Sequence, residues 1–298
     1  MDNSINIAFC FDHNLWMQAG VAITSLLISS QNKYTYHIYC IVSDDVDDCS
    51  QTQLANLVHK YSTNSTIIFK QAGDLFKEGY VWGYNSTATY YRFMLHSFFP
   101  EIDKIIYSDV DVIFKSDLSQ LYHLDIKDYY IGAVKDNLNI KSVFDYHYNK
   151  YSCWKKYKFE TLLGNYVNIG VSLWNLNQIR KDKIYQKWLP LITEEFPFSD
   201  QDIVNYTCQG RILHISPIYN AMAANYGKLY DTDEIWYAMQ NENIITKHQL
   251  NDVYTKPQII HYIGAKPWNE SVARYYQDWW NIASLTPFFP QFIAKKCK

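Results

Sequence analysis

Cysteine pairs at the spacing of a zinc knuckle are missing from this sequence of 298 residues. Its six cysteines, Cys10, Cys40, Cys49, Cys153, Cys208 and Cys297, are scattered with no C-x-x-C among them. That pattern fits reduced thiols in a cytoplasmic protein. An excess of one charge is missing too. The formal net charge is −3, so nothing draws the chain as a whole to nucleic acid or to an acidic membrane. The opening MDNSINIAFCF lacks the basic stretch and long apolar run of a secretory signal. No segment approaches the ~18 uninterrupted apolar residues of a membrane-spanning helix. Without a secretory signal, the four N-x-S/T sequons at Asn64, Asn85, Asn205 and Asn269 read as chance matches. No Gly/Ser-rich or Pro-rich linker and no internal repeat divides the chain.

What is present is material for a large core. Apolar residues make up 48% of the sequence, and aromatics 17%, with 27 Tyr and 9 Trp. Such aromatics serve polar clefts and ordinary cores alike. INIAFCF (5–11), YHIYCIV (36–42) and STIIFK (65–70) read as buried strands, with helices over 15–30 and 50–61 between them. This alternation predicts a mostly parallel sheet flanked by helices. A helix over 87–99 follows, then a strand DKIIYSD ending at Asp109. Strands are expected at 129–134, 166–176 and 257–263, and a helix at 177–196. Residues 137–165 show no period and read as a long excursion, a lid or an acceptor-facing loop. Trp279 and Trp280 fall in a C-terminal helix. One α/β domain over residues 1–268, followed by a C-terminal helix and tail over 269–298, is the expected organisation.

IIYSDVDVIF (105–114) carries the chemistry. Ligands of open α/β sheets bind beyond the C-terminal ends of the strands, and Asp109 stands at such an end. Alternation in an extended segment turns Asp109 and Asp111 to one side and Val110 to the other. Adjacent carboxylates repel, and a divalent cation such as magnesium or manganese removes the conflict. Read alone, D-x-D fits equally a capped turn beside a solvated acid.

Four further segments belong with it. FCFDHN (9–14) places Cys10, Phe11, Asp12 and Asn14 at and beyond the first strand. NIG (168–170) sets Asn168 beside Gly170, FSDQD (198–202) carries Asp200 and Gln201, and IIHYIGAKPW (259–268) supplies His261, Gly264 and Lys266. In order and spacing the five segments resemble the retaining glycosyltransferases of family eight, which include bacterial lipopolysaccharide galactosyl- and glucosyltransferases and glycogenin. The resemblance runs from about Ile5 to about Trp268.

The resemblance implies a GT-A fold and a Mn2+ site (Mg2+ being the alternative) for a UDP-sugar. Asp109, Asp111 and His261 are then the metal ligands, with Val110 between the acids. Lys266 and Gly264 fall at the diphosphate, although the loop joining them is one residue shorter than is usual in the family. Asp12 and Asn14 match the uracil contacts, with Cys10 and Phe11 beside the base. Arg92 matches an arginine near sugar and diphosphate. Asn168, Asp200 and Gln201 match the residues around the donor hexose, with Gln201 under the anomeric carbon. Asp136 is expected to line the acceptor side. The residue types alone also permit blander readings: turn residues at Asp12 and Asn14, a surface helix arginine at 92, a core histidine at 261, and a helix start at Ser199 with Asp202 three residues on.

An amide at 201 is a poor nucleophile, which points to attack by the acceptor hydroxyl on the face from which UDP leaves. The expected reaction is hexose transfer, galactose or glucose, to an oligosaccharide or lipid-linked saccharide of bacterial lipopolysaccharide, O-antigen or capsule. Tyr219, Asn220, Tyr226 and Trp236 are candidate acceptor walls. The tail FFPQFIAKKCK is a candidate for weak contact with the inner face of the cytoplasmic membrane. The competing readings are a nucleotide-sugar hydrolase or pyrophosphorylase and a catalytically silent UDP-sugar-binding module.

Overall fold

The computed structural model describes residues 3–83, 86–223, 232–269 and 274–296. Strand β1 (Ser4–Phe11) is buried on both faces from Ile7 onward, which is why it reads as an almost unbroken apolar run. Beside it lie β2 (Thr35–Val42), β3 (Thr66–Gln71) and β4 (Lys104–Ser108), then β6 (Ile131–Lys135), β7 (Val167–Asn175) and β8 (Ile212–His214). The order across this seven-stranded sheet is β3-β2-β1-β4-β7-β6-β8. All its strands run in one direction except β7, which pairs antiparallel with both β4 and β6. A second sheet has three short strands, β5 (Val112–Phe114), β10 (Ile259–His261) and β9 (Ala221–Met222), with β10 in the middle.

Alternation sends the β1 side chains into two cores. Phe9 and Phe11 join the core that contains α1 (Trp16–Ser30) and α2 (Asp48–Tyr61). Ala8 and Cys10 join the opposite core, with Tyr90, Tyr107, Trp154 and Trp174. The C-terminal helices Tyr276–Ala283 and Phe289–Lys296 close the first core. The Phe288 ring packs 4.8 Å from the Trp16 ring, and a Cβ on Gly20 would lie 2.3 Å from Phe288. Gly20 therefore makes room for that ring. Phe288 and Phe292 are buried, so the helix Phe289–Lys296 packs against this core. No described helix is long and apolar enough to cross a membrane.

Several expectations need correction. Residues 137–165 are not irregular. They fold into helices Lys141–Lys150 and Ser152–Lys156, with Phe144, Trp154 and Phe159 buried as an aromatic stack. The helix expected over 177–196 breaks into Leu176–Lys181, Tyr185–Trp188 and a 3-10 turn Leu189–Leu191. Lys183 adopts a left-handed φ of 51° at the first break, a conformation no helix continues through. The strand expected at 257–263 is shorter, Ile259–His261, and lies in the small sheet. Residues 87–99 begin as a 3-10 helix, Thr87–Met94, before one α-helical turn, Leu95–Phe98.

Candidate active site

The two sheets meet at the D-x-D segment. β4 ends at Ser108, and Asp109 follows, its backbone N–H donating to Gly170 O on β7 at 2.7 Å. Asp111 immediately precedes β5. Antiparallel pairing of β5 with β10 sets His261 opposite Val112, beside Asp111. Nε2 of His261 is 3.2 Å from Asp111 and 3.8 Å from Asp109. One ligand atom from each of the three residues lies within 4.8 Å of the others. Two carboxylates and an imidazole form a donor set that suits a divalent ion such as Mn2+. Gly170 keeps the space among them open, because a Cβ there would stand 2.3 Å from His261 Cε1 and 2.6 Å from Asp109 Oδ2. Lys266 reaches the group despite the shorter loop: its Nζ is 2.5 Å from Asp111 and 2.7 Å from Tyr262 O. Gly264, at φ 79°, supplies the left-handed turn before it. Burial opposes the charge on Asp111, but the Lys266 ammonium beside it holds the carboxyl well below the usual range.

Arg92 joins this group to the next. The side chain is buried and donates to Asp109 at 2.8 Å and to Ile169 O at 3.0 Å, and its Nε is 2.9 Å from Asp200. Its guanidinium lies 4.0 Å from the centre of the Tyr107 ring, and Tyr107 Oη donates to Asp109 at 2.7 Å. In a 3-10 helix residues three apart eclipse, so Thr89 stands beside Arg92, and its hydroxyl donates to the other oxygen of Asp200. Burial pushes the Asp200 carboxyl up to about 6, against the pull of Arg92 and Thr89. Thr89 was not singled out in the sequence. Its position three residues before Arg92 was the available signal.

Gln201 follows on the helix Ser199–Thr207. Its carbonyl accepts from Ile169 N–H at 3.3 Å, and its amide donates to Asp136 and to Tyr166 Oη, both at 3.4 Å. Asp202 points into the core, accepting from Tyr166 at 2.6 Å, Trp154 at 3.1 Å and the backbone N–H of Phe198 at 3.1 Å. Burial pushes it up to about 7. Ser199 makes no capping bond and has φ 46°, so the helix-start reading fails for the serine and holds for Asp202.

Asp136 is buried, and it takes an amide proton of Asn168 at 3.0 Å as well as that of Gln201. It therefore stands beside Asn168 and Gln201. Burial pushes its carboxyl up. Asn220 is fully buried, between Asn168 at 2.8 Å and His261 Nδ1 at 2.9 Å. Trp236 is buried, donating to Met222 O, and Tyr219 is buried beside Gln120. None of these three forms an acceptor wall. Tyr226, Asn85 and Cys297 lie outside the described residues. Asp12 and Asn14 follow β1 at the same edge of the sheet, and Asp12 caps its own turn by accepting from Asn14 N–H at 2.9 Å. Cys10 is buried with its thiol pushed up by burial, near Arg92 and Asp109. Phe11 and Val110 are buried in the core shared with α1, so neither side chain faces the site.

Comparison with known proteins agrees with this architecture. The chain is 28% identical over 221 residues to a putative glycosyltransferase of Haemophilus influenzae, covering 73% of this chain and 63% of that protein. It is 27% identical to the lipopolysaccharide 1,2-glucosyltransferase of Escherichia coli, over 96% of this chain and 77% of the relative. It is 23% identical to the lipopolysaccharide 1,3-galactosyltransferase of Salmonella typhimurium, over 96% and 82%. Among solved structures, the bifunctional glycosyltransferase WbbM superposes with a TM-score of 0.79 at 21% identity, over all of this chain and 52% of that one. The galactosyltransferase LgtC superposes with a TM-score of 0.73 at 20% identity, over 95% and 96%. These structural likenesses carry the fold, the GT-A arrangement expected from the sequence. The chain thus spans less than two thirds of the Haemophilus protein and about half of WbbM. The model of glycosyl transferase family 8 matches residues 6–271, and to that family this chain belongs.

Proposed function

We propose that the protein is a metal-dependent, retaining hexosyltransferase. It moves galactose or glucose from a UDP-sugar to a saccharide acceptor of bacterial lipopolysaccharide, O-antigen or capsule, and acts in the cytoplasm. The observation that carries this reading is the convergence of Asp109, Asp111 and His261 beside Lys266, with Arg92 linking them to Asp200. The names of the Escherichia and Salmonella relatives support the acceptor class.

Asp109, Asp111 and His261 would hold the ion, Mn2+ or Mg2+, which when bound offsets negative charge on a departing diphosphate. Lys266 adds an ammonium to the same task. Asp12 and Asn14 bind the uracil, and a carboxylate accepting from N3–H selects against cytosine. Asn168, Asp136 and Asp200 accept from or donate to hexose hydroxyls, and Arg92 holds Asp200 in place. Gln201 lies under the anomeric carbon and stabilises positive charge there without bonding to it. Asp202, the next carboxylate along the helix, is already taken by three donors. The acceptor hydroxyl therefore attacks from the leaving-group face, and a diphosphate oxygen takes its proton.

The test is UDP release from a panel of UDP-hexoses with Mn2+, with and without an oligosaccharide acceptor. Release that depends on the acceptor, and is abolished by Asp111→Ala, supports the proposal. Equal release without acceptor would make the protein a hydrolase. Binding of UDP-sugars with no release would make it a silent binding module.

A further inference from the structure

Behind the metal group runs a chain of buried hydrogen bonds with a fixed direction. We propose that Asn168 and Asn220 form a two-amide relay that locks His261 as the tautomer protonated on Nδ1 and aims its bare Nε2 at a divalent cation between Asp109 and Asp111. Asn220 is then a positioning residue for the metal. The inference rests on the metal reading above and extends it to a residue that touches neither ion nor substrate.

The direction follows from donors and acceptors alone. Asp136 Oδ2 takes Nδ2–H of Asn168 at 3.0 Å. Independently, the backbone N–H of Gly170 donates to Asn168 Oδ1 at 3.0 Å. Both bonds turn the Asn168 carbonyl toward Asn220, which must answer with its own amide nitrogen, and does so at 2.8 Å. The Asn220 carbonyl is left facing His261 Nδ1 at 2.9 Å. A carbonyl only accepts, so Nδ1 must donate, and Nε2 is the nitrogen that faces Asp111 and Asp109. Asn220 is fully buried, and His261, Asn168 and Asp136 are nearly so. Water cannot take over a lost partner there, so a break leaves polar groups unpaired. At its far end the relay meets Gln201, whose amide reaches the same Asp136 oxygen at 3.4 Å. One set of hydrogen bonds thus orients both a metal ligand and the residue assigned to the sugar.

The test compares wild type with Asn220→Leu, which has no polar group, and Asn220→Asp, which keeps an acceptor for Nδ1. Mn2+ alone is titrated into each protein and followed by the electron paramagnetic resonance of the free ion. Thermal unfolding checks that each variant is folded. 15N spectra report the ring tautomer of His261, assigned by its loss in His261→Gln. Wild type loaded with diamagnetic Mg2+ should show the Nδ1–H tautomer. Asn220→Leu should bind Mn2+ roughly 10- to 100-fold more weakly and lose that tautomer preference, whereas Asn220→Asp, which keeps the acceptor for Nδ1 but has no N–H for Asn168 Oδ1, should hold the tautomer and lose less affinity than Asn220→Leu. Wild-type affinity in a folded Asn220→Leu, or equal losses in both variants, would reduce Asn220 to a packing role. No Mn2+ binding by wild type would remove the metal reading itself and the relay with it.

Discussion

Gly170 is the residue whose smallness does most. Any side chain at 170 enters the space among His261, Asp109 and Asn168. Gly170→Ala is expected to abolish Mn2+ binding and transfer, and to cost about 1–3 kcal/mol of stability through crowding. A Mn2+ titration beside a urea melt checks both. Asp200 poses the opposite problem, a carboxylate kept where burial disfavours its charge. Its folded pKa, about 6, lies above its ordinary 3.8, so between those values the folded state binds more protons than the unfolded one. The stability this group contributes is therefore greatest below pH 4, falls as pH rises towards 6, and stays lost above. Wild type should lose about 2 kcal/mol relative to Asp200→Asn between pH 4 and pH 7, measured by urea unfolding across that range. A difference that does not vary with pH would mean that Asp200 is not held this way. At this scale the sequence was legible where chemistry is local. Asp109, Asp111, His261 and Lys266 could be named because five short segments fall in the order and spacing of one family. Asn220 was misread because nothing in IYNAM shows that the side chain points behind the metal group rather than out towards an acceptor.

The decisive element is the small sheet of β5, β10 and β9. Residues 113, 221 and 260 have no short-range signal that they should pair, yet their pairing brings Asp111, Asn220 and His261 together. Three-residue strands give no periodicity to read, which is why β5 and β9 were missed while β1 and β2 were clear. Lys266 depends on the turn that follows β10. Gly264→Ala would force an alanine to φ near 79°, at about 1–2 kcal/mol. It is expected to raise the KM for the donor more than it lowers kcat, as initial-rate kinetics on the two proteins would show. Unchanged kinetics would mean that Lys266 finds Asp111 without that turn. The 3-10 helix Thr87–Met94 was likewise read as an ordinary helix, because its three-residue repeat serves Asp200 rather than the apolar pattern.

Across the whole molecule, the two cores divide the labour. The one that includes α1 and the C-terminal helices holds the sheet, and the other carries Tyr107, Tyr166 and Trp154 beneath the site. Phe288→Ala should therefore cost about 3–5 kcal/mol while leaving Mn2+ affinity of the folded protein unchanged, a separation that urea melts and metal titration resolve together. The α/β class and the succession of strands along the chain from β1 to β4 were legible because each carries a run of apolar residues. The reversal of β7 was not, since a strand buried on both faces looks the same in either direction.

The ion pairs around Arg92 carry a kinetic consequence. Three carboxylates, Asp109, Asp111 and Asp200, share only two cations, Arg92 and Lys266. On the proposed function, a diphosphate arriving ahead of the cation would meet surplus negative charge. Ligands should consequently enter in sequence, cation ahead of nucleotide, and saturating the protein with UDP should slow escape of the cation without slowing its arrival.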